Sequence, residues 1–273
     1  MRVATVQMDV AIGKTDENLR NILQRLKDAA ANKAELVIFP ECALSGYCFS
    51  DRDEAWAVAE ELSGPSCSQL ATAAKDSGLF AVVGFLEREG ENLYNSAVVI
   101  GPRGVLGVFR KVHLLHLGVD RFTTPGDLPF PIFDAAGCKL GVNICFDCSI
   151  PESARTVKLK GAQLLAVPTN WPITSDSWAY LAKVRAIENH IFVAAADRVG
   201  EERGFTFAGH SQIIDCEGKV LAEAGATEEV ILYADIDPAL ADKNRVIKVP
   251  GEYEFDRIAS RRPEMYEGLS RDK

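Results

Sequence analysis

No run of apolar residues in this chain approaches the roughly 20 needed to cross a bilayer as a helix. The opening stretch Met1-Arg2-Val3-Ala4-Thr5-Val6-Gln7 also lacks the apolar centre of a secretion signal. A soluble, cytoplasmic protein is the expectation. Clustered cations are missing too: the longest cluster is Arg261-Arg262, in a chain of formal net charge −9 and pI near 5.1. That balance excludes the basic footprint required by nucleic acid or an anionic membrane surface. Neither a repeat nor a Pro/Gly/Ser-rich linker breaks the sequence, so one domain over residues 1–273 is the simplest organisation, ending in a polar tail over 248–273. With 47% hydrophobic and 25% charged residues, the chain has enough apolar surface for a large core. Its seven cysteines are odd in number and scattered, which suits reduced thiols better than a disulfide framework.

What is present is a succession of strand and helix signals. Arg2 to Val10 is β-rich, and Asp16 to Ala31 places Leu19, Ile22, Leu23, Leu26, Ala29 and Ala30 on one helical face. Glu35 to Phe39 reads as a buried strand ending in Pro40-Glu41-Cys42. Ala43 to Trp56, aperiodic and rich in aromatics, reads as a loop before a helix over Ser66 to Asp76. Leu79–Glu87, Leu93–Ile100 and Val105–Phe109 form a meander of three strands, followed by Arg110-Lys111-Val112-His113-Leu114 and an irregular segment. Strands and helices then alternate through Ala196, and three further strands occupy His210–Asp215, Lys219–Ala224 and Val230–Ile236. Because strands both alternate with helices and follow one another directly, the fold class is mixed α/β (α+β) and layered.

The stretch Gly137 to Glu152 reads as a buried strand, a sharp turn and a helix start, with Cys145 at the turn. A thiol there would lie exposed beyond the sheet edge, with the positive end of a helix favouring its thiolate. The same stretch read alone serves equally well as a packed core cysteine. Glu41 and Lys111 also fall just past strand ends, and a carboxylate, an ammonium and a thiol converging above a sheet are the set that cysteine-based acyl transfer requires. A competing set pairs Cys145 and Cys148 with His113 and His116 as a zinc site, or the two cysteines as a redox pair. The His-x-x-His spacer is shorter than the usual zinc pattern, and the chain is too long and differently ordered for a thioredoxin-like module.

Taken together, these motifs resemble the nitrilase superfamily of carbon–nitrogen hydrolases over nearly the whole chain. Phe39-Pro40-Glu41-Cys42-Ala43-Leu44-Ser45-Gly46-Tyr47 is similar to the family's glutamate segment, Arg110 to Leu114 to its lysine segment, and Gly141 to Asp147 to its cysteine segment. Pro168-Thr169-Asn170-Trp171, Arg185-Ala186-Ile187-Glu188-Asn189, Gly209-His210-Ser211 and Arg261 to Tyr266 support the match. The resemblance implies a four-layer α-β-β-α sandwich, a homodimer formed through helical faces with the tail at the subunit interface, and catalysis by Glu41, Lys111 and Cys145. It makes Cys148 a packing residue. Where the family often carries a further glutamate, Gly118 to Phe122 offers Asp120 as an additional carboxylate. Ser149 and Ile150 stand where members acting on acidic substrates carry arginine, and Phe146-Asp147 looks more like the amidase branches than true nitrilases.

The implied reaction is hydrolysis of a small, largely uncharged carboxamide through an acyl-thioester, with N-carbamoyl and nitrile hydrolysis as alternatives. The oxyanion would be held by Lys111 and the backbone N–H of Phe146. Tyr47, Asn170 and Trp171 are candidates for shaping the acyl pocket, and Glu188 is a structural hydrogen-bond partner. No metal or organic cofactor is required by this chemistry, and the only partners implied are the amide and a second copy of the chain.

Overall fold

The computed structural model describes residues 1–174 and 178–270. In chain order, the first half comprises Arg2–Gln7 (β1), Thr15–Ala31 (α1), Leu36–Ile38 (β2), Arg52–Val58 (α2), Pro65–Ser77 (α3), Phe80–Glu89 (β3), Asn92–Gly101 (β4) and Gly104–Arg110 (β5). Next come Ile132–Ala135 (β6), Cys138–Val142 (β7), Pro151–Leu159 (α4), Leu164–Thr169 (β8), Trp178–Asn189 (α5) and Phe192–Asp197 (β9). The remainder holds strands and short 3-10 turns, the strands being Glu201–Glu202 (β10), Phe205–Thr206 (β11), Gln212–Ile214 (β12), Val220–Glu223 (β13), Val230–Asp235 (β14), Arg245–Val249 (β15) and Tyr253–Asp256 (β16).

Two six-stranded sheets dominate. Their orders are β14-β1-β2-β3-β4-β5 and β13-β12-β9-β8-β7-β6. In each, three parallel strands lie at the centre (β1, β2, β3 and β7, β8, β9) with antiparallel strands outside them. Val3, Leu36, Ile38 and Val82 of the first sheet share one core with Leu140, Val142, Leu165 and Val193 of the second. The sheets therefore face each other. The opposite face of the first sheet, through Ala4, Val6, Val37 and Val83, packs on Leu19, Ile22 and Leu26 of α1 and on Leu70 and Ala74 of α3. Ala154 and Val157 of α4 with Ala182 and Ala186 of α5 cover the second sheet. The order of layers is α-β-β-α, as the resemblance implied.

Local signals account for the helices. In α1 the buried positions Leu19, Ile22, Leu26 and Ala29 recur at helical spacing, and Asp16 and Glu17 complement the dipole in the first turn. Helix α3 starts with Pro65, which needs no donor there, and ends at Gly78 in the left-handed region. Two expectations are corrected. Ala43 to Trp56 is not all loop, because Asp51 accepts a hydrogen bond from the Glu54 N–H and starts α2. The polar tail also holds β16, which pairs with β15 in a small hairpin.

Candidate active site

The central parallel strands end together at the seam between the sheets, the usual place for a site in an α/β protein. Glu41 lies three residues past the end of β2, on a segment that crosses closely over β3 at Gly84. A Cβ at position 84 would come within 2.4 Å of the Pro40 carbonyl oxygen and 2.5 Å of the Cys42 nitrogen. Lys111 follows the last residue of β5, Arg110. That arginine is fixed by two hydrogen bonds to the buried Glu87 (2.6 and 2.9 Å) and by stacking 4.0 Å over the Tyr94 ring. Asp120 stands in a single 3-10 turn over Gly118–Arg121.

These three groups meet in the interior. The Lys111 Nζ donates to Glu41 Oε1 at 2.7 Å and to Asp120 Oδ2 at 2.6 Å, and all three side chains are buried. A fourth group, not foreseen, completes the arrangement: Asn95 of β4 donates through Nδ2 to Glu41 Oε1 at 2.6 Å and to Asp120 Oδ1 at 2.8 Å. Its backbone carbonyl accepts from the Lys111 N–H at 2.8 Å. The other carboxylate oxygen of Glu41, Oε2, is buried with no protein partner.

Cys145 begins a 3-10 turn, Cys145–Ser149, that follows β7 after Asn143 and Ile144. Its φ is +47°, a strained setting for a residue with a side chain and one that recurs at functional positions. The thiol is not exposed as the sequence suggested. Cys145 is 3% accessible, because the two sheets close over the strand ends. Helix α4 begins at Pro151, where the sequence placed its first turn, and the 3-10 turn separates Cys145 from that helix N-terminus.

Electrostatics follow from this burial. Desolvation, then the Glu41 charge, push the Cys145 thiol well above its ordinary value; Lys111, the Thr169 side chain and the Asn170 backbone pull the other way without prevailing. Cys145 therefore rests as a thiol. Burial also raises Glu41, against Lys111, and the Asp120 charge adds to the rise. For Lys111 burial alone would lower the pKa, but Asp120 and Glu41 outweigh it and hold the ammonium well above its usual range.

Asp147 ties the segments carrying Lys111 and Cys145 together. Its Oδ1 accepts from the His113 backbone N–H at 3.0 Å and lies 2.7 Å from His113 Nδ1, while Oδ2 accepts from the Ile144 N–H at 3.1 Å. Asp197, buried at the end of β9, does the same for the next strand end, accepting at Oδ1 from the backbone N–H groups of Trp171 (3.1 Å) and Arg198 (2.9 Å). Burial pushes its carboxyl well above the usual range, against the two backbone hydrogen bonds.

The structure thus joins Glu41 and Asp120 through Lys111, with Cys145 near enough for the Glu41 and Lys111 charges to act on its thiol. The Tyr47 ring lies 5.8 Å from Lys111 Nζ, and its hydroxyl donates to the Leu117 carbonyl at 3.2 Å. Asn170 is buried with both polar side-chain atoms unpartnered by protein, and Trp171 follows it, also buried. Phe146 is the second residue of the 3-10 turn, where backbone N–H groups have no partner within the turn. Glu188 pairs with Arg185 at 2.5 Å and is remote in role. Cys148 is fully buried beneath Arg185, which donates to its carbonyl. Among the described residues no group of three or more His, Cys, Asp or Glu has the geometry of a metal site, so Cys145, Cys148, His113 and His116 do not gather as ligands.

Sequence reasoning missed Asn95, Asp147 and Asp197. A signal existed for two of them: Asn95 interrupts the apolar run of β4, and Asp197 ends a strand as Glu41 nearly does.

A mixed four-layer fold with Glu, Lys and Cys groups at the strand ends defines a class. Residues 2–245 match the carbon-nitrogen hydrolase family model, and the chain belongs to that family, within the nitrilase superfamily. It is 42% identical to a nitrilase of Pyrococcus abyssi over 90% of this chain and 93% of that one. It is 36% identical to an omega-amidase of Mus musculus over 86% and 88% of the respective chains. Among solved structures, an amidase of Nesterenkonia superposes with a TM-score of 0.82 at 26% identity, covering 98% of this chain and 97% of that one. A double mutant of the Nesterenkonia enzyme, glutamate to glutamine and cysteine to alanine, has been solved with acrylamide.

Proposed function

We propose that this carbon–nitrogen hydrolase is an amidase, converting small, largely uncharged carboxamides to carboxylic acid and ammonia through an acyl-thioester on Cys145. The observation that carries the reading is the buried contact of Lys111 with Glu41 and Asp120, which leaves Glu41 Oε2 without a protein partner in a site where the Glu41 charge acts on the Cys145 thiol. Glu41 Oε2 takes the thiol proton as Sγ attacks the amide carbon. The oxyanion is held by the Lys111 ammonium and the Phe146 N–H, each worth on the order of 3 kcal/mol. Glu41 returns the proton to the leaving nitrogen, ammonia departs, and a water deprotonated by Glu41 hydrolyses the thioester. Asp120 holds the lysine in place. Tyr47, Asn170 and Trp171 shape the acyl pocket, and Ser149 and Ile150 provide no cation for an acidic substrate.

Replacing Cys145 by Ala removes ammonia release from every amide; turnover surviving in that variant would refute the assignment. The 42% identity to a protein named a nitrilase makes nitrile hydrolysis the competing reading. Product analysis after incubation with a matched amide, nitrile and N-carbamoyl amine separates the three activities.

We also infer that residues 1–273 form one hydrolase domain that works as a homodimer in the cytoplasm. Tyr180 and Val184 expose an apolar stripe on the outer side of α5, Leu159 does so on α4, and Met265 and Leu269 add apolar surface in the tail, of which 271–273 lie outside the described residues. Seven free thiols suit a reducing compartment. Sedimentation should show a dimer that Val184→Glu converts to monomer, and a monomeric parent protein would rule the arrangement out.

A further inference from the structure

We propose that Asn95 is a positioning residue that selects which oxygen of Glu41 acts as the base and keeps that carboxyl in its working, ionised form. The proposal deepens the amidase reading, since it rests on Glu41 being the base for Cys145. The Asn95 Nδ2 is shared between Glu41 Oε1 (2.6 Å) and Asp120 Oδ1 (2.8 Å), and Lys111 Nζ is shared between the same two carboxylates on their lysine side. Two donors and two carboxylates thus alternate around a closed ring. Glu41 Oε1 accepts from both donors, and only Oε2 is left to take a proton.

The amide cannot turn over. The Asn95 Oδ1 accepts from the Cys42 thiol at a sulfur–oxygen distance of 3.5 Å, and a flipped amide would aim its oxygen at two carboxylates. The titratable groups facing Glu41 are Lys111 from the end of β5, Asp120 from its 3-10 turn, Cys145, Cys42 and Tyr47 from their loops, and Asp197 from β9. Among the described residues, Lys111 and Asn95 are the side chains whose hydrogen bonds lower the Glu41 pKa against burial and the Asp120 charge.

The test follows alkylation of Cys145 by iodoacetamide between pH 5 and 9, located by peptide mass spectrometry, in the parent protein and in Glu41→Gln, Asn95→Ala and Cys42→Ala. This readout needs no turnover. Asn95→Ala should lower the rate at neutral pH roughly 10-fold and move the acid limb up by about one pH unit, the ordinary worth of a hydrogen bond to a charged group. A uniform loss at every pH, as a purely structural role would give, overturns the proposal. Cys42→Ala leaves every charged group in place and should move the limb the same way by a smaller amount. If Asn95→Ala does not fold, Cys42→Ala decides, and an unmoved limb refutes the role of the locked amide. A Glu41→Gln profile identical to the parent's would instead overturn the assignment of Glu41 as base, which Asn95→Ala alone does not address.

Discussion

Glu41 occupies a position that works against folding. Burial raises its pKa, so folding disfavours its charged form relative to the unfolded chain, and whatever stability Glu41 contributes at acid pH is lost as pH rises through that raised value. Glu41→Gln should accordingly raise the thermal midpoint at pH 7 by a few degrees, with the gain shrinking toward pH 4, while lowering kcat by about 10²- to 10⁴-fold as expected for loss of a general base. Calorimetry and an ammonia assay on one preparation read both. Lys111 keeps Asp120 as partner in that variant, so the change strands no ammonium. At this scale the sequence showed the residue types well and their states poorly. Glu41, Lys111 and Cys145 stood out because chemistry-bearing residues followed apolar runs. The thiol's burial depends on the other sheet, built from strands far from Cys145 along the chain, and the link from Asn95 to Asp120 spans residues that no local pattern connects.

At the level of elements, the crossing of the Glu41 segment over β3 depends on the absence of a side chain at Gly84. Gly84→Ala should destabilise the protein by roughly 1–3 kcal/mol, as overpacking generally does, and lower kcat because the Glu41 backbone must lift. Denaturant unfolding together with steady-state kinetics tests this, and a variant normal in both would show that the crossing is looser than the distances state. Most strands and helices were legible from periodicity and turn residues. Helix α2 was not, because a seven-residue helix is too short to display a period and its start depends on one Asp51 cap. Hairpin β15-β16 was missed for a different reason: its strands are largely solvent-facing and carry no continuous apolar signal.

For the molecule as a whole, neither sheet makes the site alone. β2 and β5 of the first sheet lead to Glu41 and Lys111, whereas β7, β8 and β9 of the second lead to Cys145, Asn170 and Asp197. Mixed α/β layering could be inferred from the order of elements, but which sheet each strand joins is a long-range matter. β14, near the end of the domain, pairs with β1 at its start. Assembly of the proposed site therefore requires the complete double sheet, and partial folding of either half leaves a carboxylate and an ammonium, or a thiol, without its counterpart.

The enclosure of Lys111 between two carboxylates has a chemical consequence for an acyl-enzyme. A neutral amine beside a thioester would capture the acyl group as a stable amide and end catalysis after one cycle. Held as an ammonium by Asp120 and Glu41, the Lys111 nitrogen has no lone pair to attack with. In the proposed amidase reaction, the same contacts that hold the ammonium ready for an oxyanion deny it nucleophilicity, and water is left as the acceptor.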